Sequence, residues 1–225
     1  MKLALISDVH ANVVALEAVL DDIEARGADM VLSAGDVVGY YPYPNETVEL
    51  FRARGIISIR GNHDRAVLRA DPRGMSPVAG DAIMWTAFHL TASSLQYLRS
   101  LPPRAQLHAD RIAVGLYHGS PRDDDEYVYE GQACKELLIM SHSQLVVLGH
   151  THIPYVKKYP RGIIVNPGSV GQPRDGFPEA SYSVFDIDTN EATNHRVAYD
   201  IEKVAEATRD AGLPDRLADR LFNGL

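Results

Sequence analysis

With 225 residues, 45% of them hydrophobic, the chain can bury one sizeable core, and the absence of any Ser/Gly/Pro linker or low-complexity stretch predicts a single domain over residues 1–225. A formal net charge of -8 excludes a sequence-wide basic field that would hold an extended nucleic acid by counterion release. One cysteine, Cys134, excludes an internal disulfide and a thiolate-rich zinc site, and the apolar runs are too short to span a bilayer, so the expectation is a cytoplasmic protein with no membrane partner.

The opening "MKLALISDVH" breaks its apolar run at Ser7 and Asp8, which reads as a strand rather than a signal peptide. "VVALEAVLDDIEARG" then places Val13, Leu16, Leu20 and Ile23 at helical spacing and closes on Gly27. "DMVLSAGD" is a second strand, "NETVELFRARG" a helix with Asn45 as candidate N-cap, and "IISIRGNHD" a third strand. This βαβαβ opening implies a parallel sheet with right-handed crossovers, over which residues 76–101 lie as helices. From "LPPR" on the pattern becomes hairpins: one turning at Ala109-Asp110, one at Pro160-Arg161-Gly162, and a strand pair turning near Thr189-Asn190. The tail at about 200–225 is helical, broken at Pro214, with Leu213, Leu217, Leu221 and Phe222 either covering the core or facing another subunit of a homo-oligomer. The whole reads as an α/β fold with two sheets packed face to face and helices outside.

Polar residues gather at the strand ends. Asp8 and His10 follow "LALIS", Asp36 follows "MVLSAG", Asn62 and His63 follow "IISIRG", His118 follows "IAVGLY", and His150 and His152 follow "LVVLG". In α/β sheets ligands bind beyond the carboxyl ends of the strands, so these groups should converge on one rim. Each has an ordinary structural explanation alone, as a cap, a turn or a hydrogen-bonded core histidine. Together, carboxylate, imidazole and amide groups with no Lys, Arg or Glu among them are costly to bring together without cations. Nitrogen and oxygen donors without thiolate suit Mn, Fe, Zn or Ni, and seven donors are right for two divalent ions sharing a carboxylate. Such a pair points to hydrolytic attack on a phosphate ester.

The ordered set "DVH" (8–10), "GDVVG" (35–39), "GNHD" (61–64), "YHG" (117–119) and "GHTH" (149–152) resembles the calcineurin-like metallophosphoesterase superfamily, and "NPGSVGQPR" (166–174) its small bacterial and archaeal phosphodiesterase branch. The resemblance implies a four-layer sandwich of two mixed sheets flanked by helices. It also implies that Asp8, His10 and His152 hold one ion, Asn62, His118 and His150 the other, and that Asp36 bridges them, with Mn favoured for activity. His63 would then face the phosphate and protonate the leaving oxygen, oriented by Asp64; the other reading of Asp64 is a helix cap. The expected reaction is hydrolysis of a small phosphodiester or nucleotide by in-line attack of a hydroxide shared by the metals.

Specificity is less legible. Ser/Thr phosphatases and symmetrical dinucleoside tetraphosphatases of the superfamily carry an arginine just after the second motif, where this chain reads "GDVVGYYPYPNE". The missing arginine argues against those two activities, so a phosphomonoesterase, protein phosphatase or dinucleoside-polyphosphate phosphatase with the same metals is the alternative reading rather than the first, and a non-catalytic scaffold of the same fold a more distant one. Tyr41, in the run Tyr40, Tyr41 and Tyr43, either stacks on a base or packs its loop. Ser169 and Arg174 either contact phosphate or shape a turn. The acidic run in "SPRDDDEYVY" reads as a solvated loop without a role.

Overall fold

In the computed structural model, which describes residues 1–225, strand β1 (Lys2–Ile6) is the centre of the first sheet. Successive strand side chains point to opposite faces, so Leu3 and Leu5 enter one apolar cluster while Ala4 and Ile6 enter another. Helix α1 (Val13–Ala25) starts at Asn12, whose side chain accepts from Ala15 N at 3.1 Å, and buries Leu16, Val19, Leu20 and Ile23 against the Ala4/Ile6 face. Strand β2 (Met30–Ser33), helix α2 (Pro44–Ala53) and strand β3 (Ile57–Ser58) complete a parallel β1-β2-β3 run. Helices α3 (Asn62–Arg69), α4 (Pro77–His89) and α5 (Ala92–Ser100) extend the covering layer through Val67, Ile83 and Leu98.

Asn45 does not cap α2. Proline suits the first helical position because its fixed φ and missing N–H cost nothing there, so the helix begins at Pro44. Asn45 instead donates to His89 O at 2.9 Å and accepts from Thr91 N at 2.9 Å, tying α2 to the α4–α5 turn.

The second sheet takes β4 (Arg104–Ala109), β5 (Ile112–Tyr117), β6 (Leu145–Val147), β7 (Tyr155–Tyr159) and β8 (Gly162–Asn166) in the order β4-β5-β6-β8-β7. Its inner strands β5, β6 and β8 are parallel and its edges antiparallel. The first hairpin turns at Asp110-Arg111, one residue later than the sequence suggests, because Asp110 takes the left-handed conformation at φ 51°. Strands β9 (Ala180–Asp186) and β10 (Glu191–Val197) return to the first sheet, giving β10-β9-β1-β2-β3. Leu3, Leu5, Leu32 and Ile59 of that sheet meet Val114, Leu116, Val147 and Val165 of the other. Helix α6 (Lys135–Ser141) covers the second sheet's far face through Leu137 and Leu138. The layering is helix, sheet, sheet, helix.

Helices α7 (Ile201–Asp210) and α8 (Asp215–Leu221) fold back onto the chain's own core: Leu213, Leu217 and Leu221 pack with Tyr41, Ala79 and Ala82, while Phe222 stays 44% exposed. No helix is long and apolar enough to cross a membrane. The parallel strands of both sheets therefore deliver their C-terminal ends to one rim.

The inter-sheet cluster carries the cohesion between layers. Leu5→Ala, at a fully buried position, should lower unfolding free energy by about 2–5 kcal/mol in chemical denaturation. Ile139→Ala, on a half-exposed residue of α6, should change it by less than about 0.5 kcal/mol.

Candidate active site

Five of the seven donor residues occupy sharp turns, while Asn62 opens α3 and His118 directly follows β5. Asp8, His10, Asp36, His150 and His152 all have positive φ, between 52° and 67°. Asp and His tolerate this region better than most residues, but each such conformation costs free energy and persists only when its surroundings hold it. Here the loops hold one another. Asp8 N bonds Gly35 O at 3.0 Å, His10 N bonds Asp36 O at 3.0 Å, and Gly149 N bonds His118 O at 2.9 Å. Ser169 Oγ donates to Asp8 O at 2.7 Å, and His150 N donates to Asp8 Oδ2 at 3.1 Å.

Strand β6 stops at Val147, so His150 and His152 lie in the loop beyond it and are not held to a strand's alternation. His152 Nε2 lies 3.3 Å from Asp8 Oδ1 and 3.2 Å from His10 Nε2. The His150 ring instead sits 4.9 Å from that of His118. Asp36 Oδ2 stands between the two sides, 3.7 Å from His10 Nε2 and 3.3 Å from His118 Nε2, and His118 Nε2 is 2.9 Å from Asn62 Oδ1. All of these side chains are buried except Asn62, which is half-buried.

The proton inventory shows what the cluster fits. His118 Nδ1 faces Ala34 O at 2.8 Å and His152 Nδ1 faces Gln172 O at 2.6 Å. A carbonyl only accepts, so Nδ1 is the donor in each ring, and a neutral ring turns an Nε2 lone pair inward. Those lone pairs meet further acceptors: Asp8 Oδ1, which has no hydrogen-bond partner, on one side, and Asp36 Oδ2 with the Asn62 carbonyl on the other. Buried acceptors facing acceptors are stable only around cations. The electrostatics agree. Burial pushes Asp8 up to about 7 and holds His10 and His152 well below the usual imidazole range. Burial would lower His118 too, but the Asp36 carboxylate beside it wins and raises it to about 10, so in the absence of another cation His118 itself takes up a proton to face Asp36. The site calls for positive charge. Three groups of ligand atoms, Asp8/His10/His152, Asp8/Asp36/His118 and His10/Asp36/His63, each lie within 4.8 Å of one another. The donor set fits divalent metal ions bound by nitrogen and oxygen.

His63 lies against the donors, its ring centroid 4.6 Å from His10 and 4.4 Å from Tyr40, with Nδ1 unpartnered and its main-chain N donating to Asp36 Oδ1 at 2.8 Å. Asp64 does not orient it. The Asp64 carboxylate is taken up by three main-chain donors, Gly61 N at 2.9 Å, Val38 N at 3.1 Å and Val37 N at 3.3 Å, so it caps α3 and pins the loop after Asp36. Tyr41 is also not a substrate contact. It is fully buried, donating to Leu217 O at 3.3 Å and accepting from Gln172 Nε2 at 2.9 Å, because the tail helices cover it. Ser169 is fully buried as well, and its hydroxyl is spent on Asp8 O and Gln172 N.

Arg174 does reach the cleft: with Tyr40, His63 and Tyr127 it lines a small space of about 20 Å³ over Asp36, Asn62, His150 and His152. Its Nη2 donates to the Tyr40 hydroxyl at 3.0 Å. Three cleft residues escape sequence reasoning. Tyr40, not Tyr41, faces the site. Tyr127 packs on His150 at 3.9 Å between ring centroids, although it ends the acidic run read as a solvated loop. Arg220 arrives from α8. Three of the four carboxylates of the acidic run are ion-paired: Asp124 with Arg104 at 2.6 Å, Glu126 with Arg122 at 2.6 Å, and Asp125 with Arg65. An aromatic nine residues after a candidate ligand histidine, in the loop that follows it, was the only local signal for Tyr127; Arg220 had none.

The family model for the calcineurin-like phosphoesterase superfamily domain matches residues 1–190. The protein MJ0912 of Methanocaldococcus jannaschii is 36% identical over 99% of this chain and 98% of its own length. Phosphodiesterase YfcE of Escherichia coli is 27% identical over 84% of this chain and 89% of its own. Among solved structures, a metallophosphoesterase from Sphaerobacter thermophilus superposes with a TM-score of 0.86 at 41% identity, covering 100% of this chain and 99% of that one.

The two glycines at 35 and 61 let their loops touch, and a Cβ on Gly61 would strike the Asp36 carboxylate and main-chain N. Gly61→Ala should therefore displace Asp36, costing about 1–3 kcal/mol of stability in denaturation and lowering divalent metal content measured by elemental analysis.

Proposed function

The chain belongs to the calcineurin-like phosphoesterase superfamily, a family of phosphoric ester hydrolases, and from that premise we propose that it is a dinuclear metal-dependent phosphodiesterase acting on a small phosphodiester or nucleotide. The observation that carries the reading is Asp36, whose carboxylate faces His10 on one side and His118 on the other. In this reading Asp8, His10 and His152 hold one ion, Asn62, His118 and His150 the second, and Asp36 is shared. Bound there, divalent ions supply neutralisation of phosphate charge and activation of the attacking water. Manganese is the ion favoured for activity.

The chain's own groups do the rest. Arg174 offers a forked guanidinium to a phosphate oxygen at the edge of the small space. His63, whose ring lines the small space, is placed to hydrogen-bond the leaving oxygen and pass it a proton as the P–O ester bond breaks, yielding an alcohol and a phosphomonoester. Tyr40 packs against the His63 ring and Tyr127 against His150, which keeps both imidazoles in place. Preference for a diester follows from charge. After Asp36 the chain supplies Tyr40 rather than an arginine, so Arg174 is the one guanidinium at the small space, which suits a diester monoanion better than a monoester dianion.

Three measurements test this. Mn-loaded protein should contain two ions per chain, and His150→Ala and His152→Ala should each retain about one; a single ion in the unaltered protein would remove the dinuclear reading. The kcat/KM for bis-p-nitrophenyl phosphate should exceed that for p-nitrophenyl phosphate, and the reverse order would favour a monoesterase. His63→Ala should lower kcat on the diester by about 10²–10⁴-fold with metal content unchanged.

A further inference from the structure

The small space over the donors continues in two directions. It shares Asn62, Tyr127 and His150 with a cleft of about 340 Å³ beside α3, and Tyr40, His63 and Arg174 with one of about 300 Å³ beside α8. The two differ in charge. On the α3 side three arginines share the wall with two carboxylates: Arg65 pairs with Asp125 and Arg73 with Asp71, and Arg69 is the one left without an ion pair. On the α8 side Arg174 and Arg220 are both present and no carboxylate lines the wall. Arg174 donates only to neutral groups, the Tyr40 hydroxyl at 3.0 Å and Gln172 Oε1 at 3.1 Å. Arg220 donates through Nε to a main-chain oxygen of Leu225, the last residue of the chain, and pairs with no acidic side chain, which leaves the two terminal nitrogens of its guanidinium free for the cleft. Burial and the neighbouring Arg174 both push Arg220 below the ordinary arginine range. Two partly buried guanidiniums on a wall with no acidic side chain are stabilised by an anion that sits between them.

Position says which anion. Arg174 lines both the small space and the outer cleft, whereas Arg220 lines the outer cleft alone. A phosphate at the donors would meet Arg174, and an anion reaching both guanidiniums must lie farther along the same molecule. We propose that Arg174 and Arg220 form a subsite for a second phosphate, so that the preferred substrate is a phosphodiester bearing a further phosphate rather than a bare diester. The inference rests on the phosphodiesterase reading above and names its substrate class. It also gives the C-terminal helix, outside the stretch matched by the family model, a part in recognition.

Matched ligands test it. By calorimetry, Mn-loaded protein should bind thymidine 3′,5′-bisphosphate about tenfold more tightly than thymidine 5′-monophosphate, the gain expected of one added charge-assisted contact. Arg220→Gln should bring that ratio close to one, and Arg220→Lys should keep most of it. Kinetics should follow: the p-nitrophenyl ester of thymidine 5′-phosphate should show a lower KM when it also carries a 3′-phosphate, and the difference should vanish in Arg220→Gln. A ratio near one in the unaltered protein, or a ratio that survives Arg220→Gln, overturns the subsite. If the binding ratio behaves as expected while neither ester is cleaved, the subsite stands and the phosphodiesterase reading falls.

Discussion

A buried carboxylate facing two imidazoles from different sheets is the constraint on which this molecule depends. Asp36 receives His63 N at 2.8 Å and otherwise points its oxygens at the inward nitrogens of His10 and His118. Without positive charge that arrangement is a set of mutually repelling acceptors in a dry site. The backbone pays a further cost, because five of the donor residues are left-handed. A fold keeps such a cluster only if binding of cations offsets the strain, which is why the same residues serve poorly as ordinary core.

The scaffold meets that demand by bringing six loops within hydrogen-bonding distance of each other. Ser169 and Gly171 hold the Asp8 carbonyl, Gly35 holds the Asp8 amide, and Asp64 ties Gly61 to Val37 and Val38. These contacts explain why polar groups such as Ser169 and Asp64, which look like substrate or catalytic candidates, are consumed in positioning. They satisfy main-chain donors and acceptors that sharp turns would otherwise leave orphaned. The glycines at 35 and 61 belong to the same economy of space, since the approach of their two loops leaves no room for a side chain.

Around this rigid centre the wall of the cleft is assembled from unrelated parts of the chain. Tyr40 comes from the loop after β2, Tyr127 from the loop after β5, Arg174 from the loop after β8 and Arg220 from α8. The tail helices do two things at once: Leu217 and Leu221 bury Tyr41, and Arg220, on the same helix, borders the cleft. A side chain presented from the outermost helix can vary without disturbing the donor residues at the strand ends.

The alternation of apolar strands with helical spacing, and polar residues stacked at strand ends, were legible because period and position are local properties of a chain. That is enough for two packed sheets, for the rim, and for Asp8, His10, Asp36, Asn62, His63, His118, His150 and His152 as a set, which the structure brings together. What a side chain touches is not local. Asp64 and Ser169 carry the right chemistry, yet their partners lie across turns whose left-handed geometry no spacing rule foresees. Tyr41 and Tyr40 are adjacent and identical in kind, and only the tail packing sends one into the core and leaves the other at the cleft. Arg220 lies 212 residues along the chain from Asp8; its place at the cleft exists only after α8 docks. The sequence alone determined the elements and the donor chemistry, because these follow from period and residue type; the tertiary structure decided which polar groups are free to meet a substrate, because that depends on what has already claimed their hydrogen bonds.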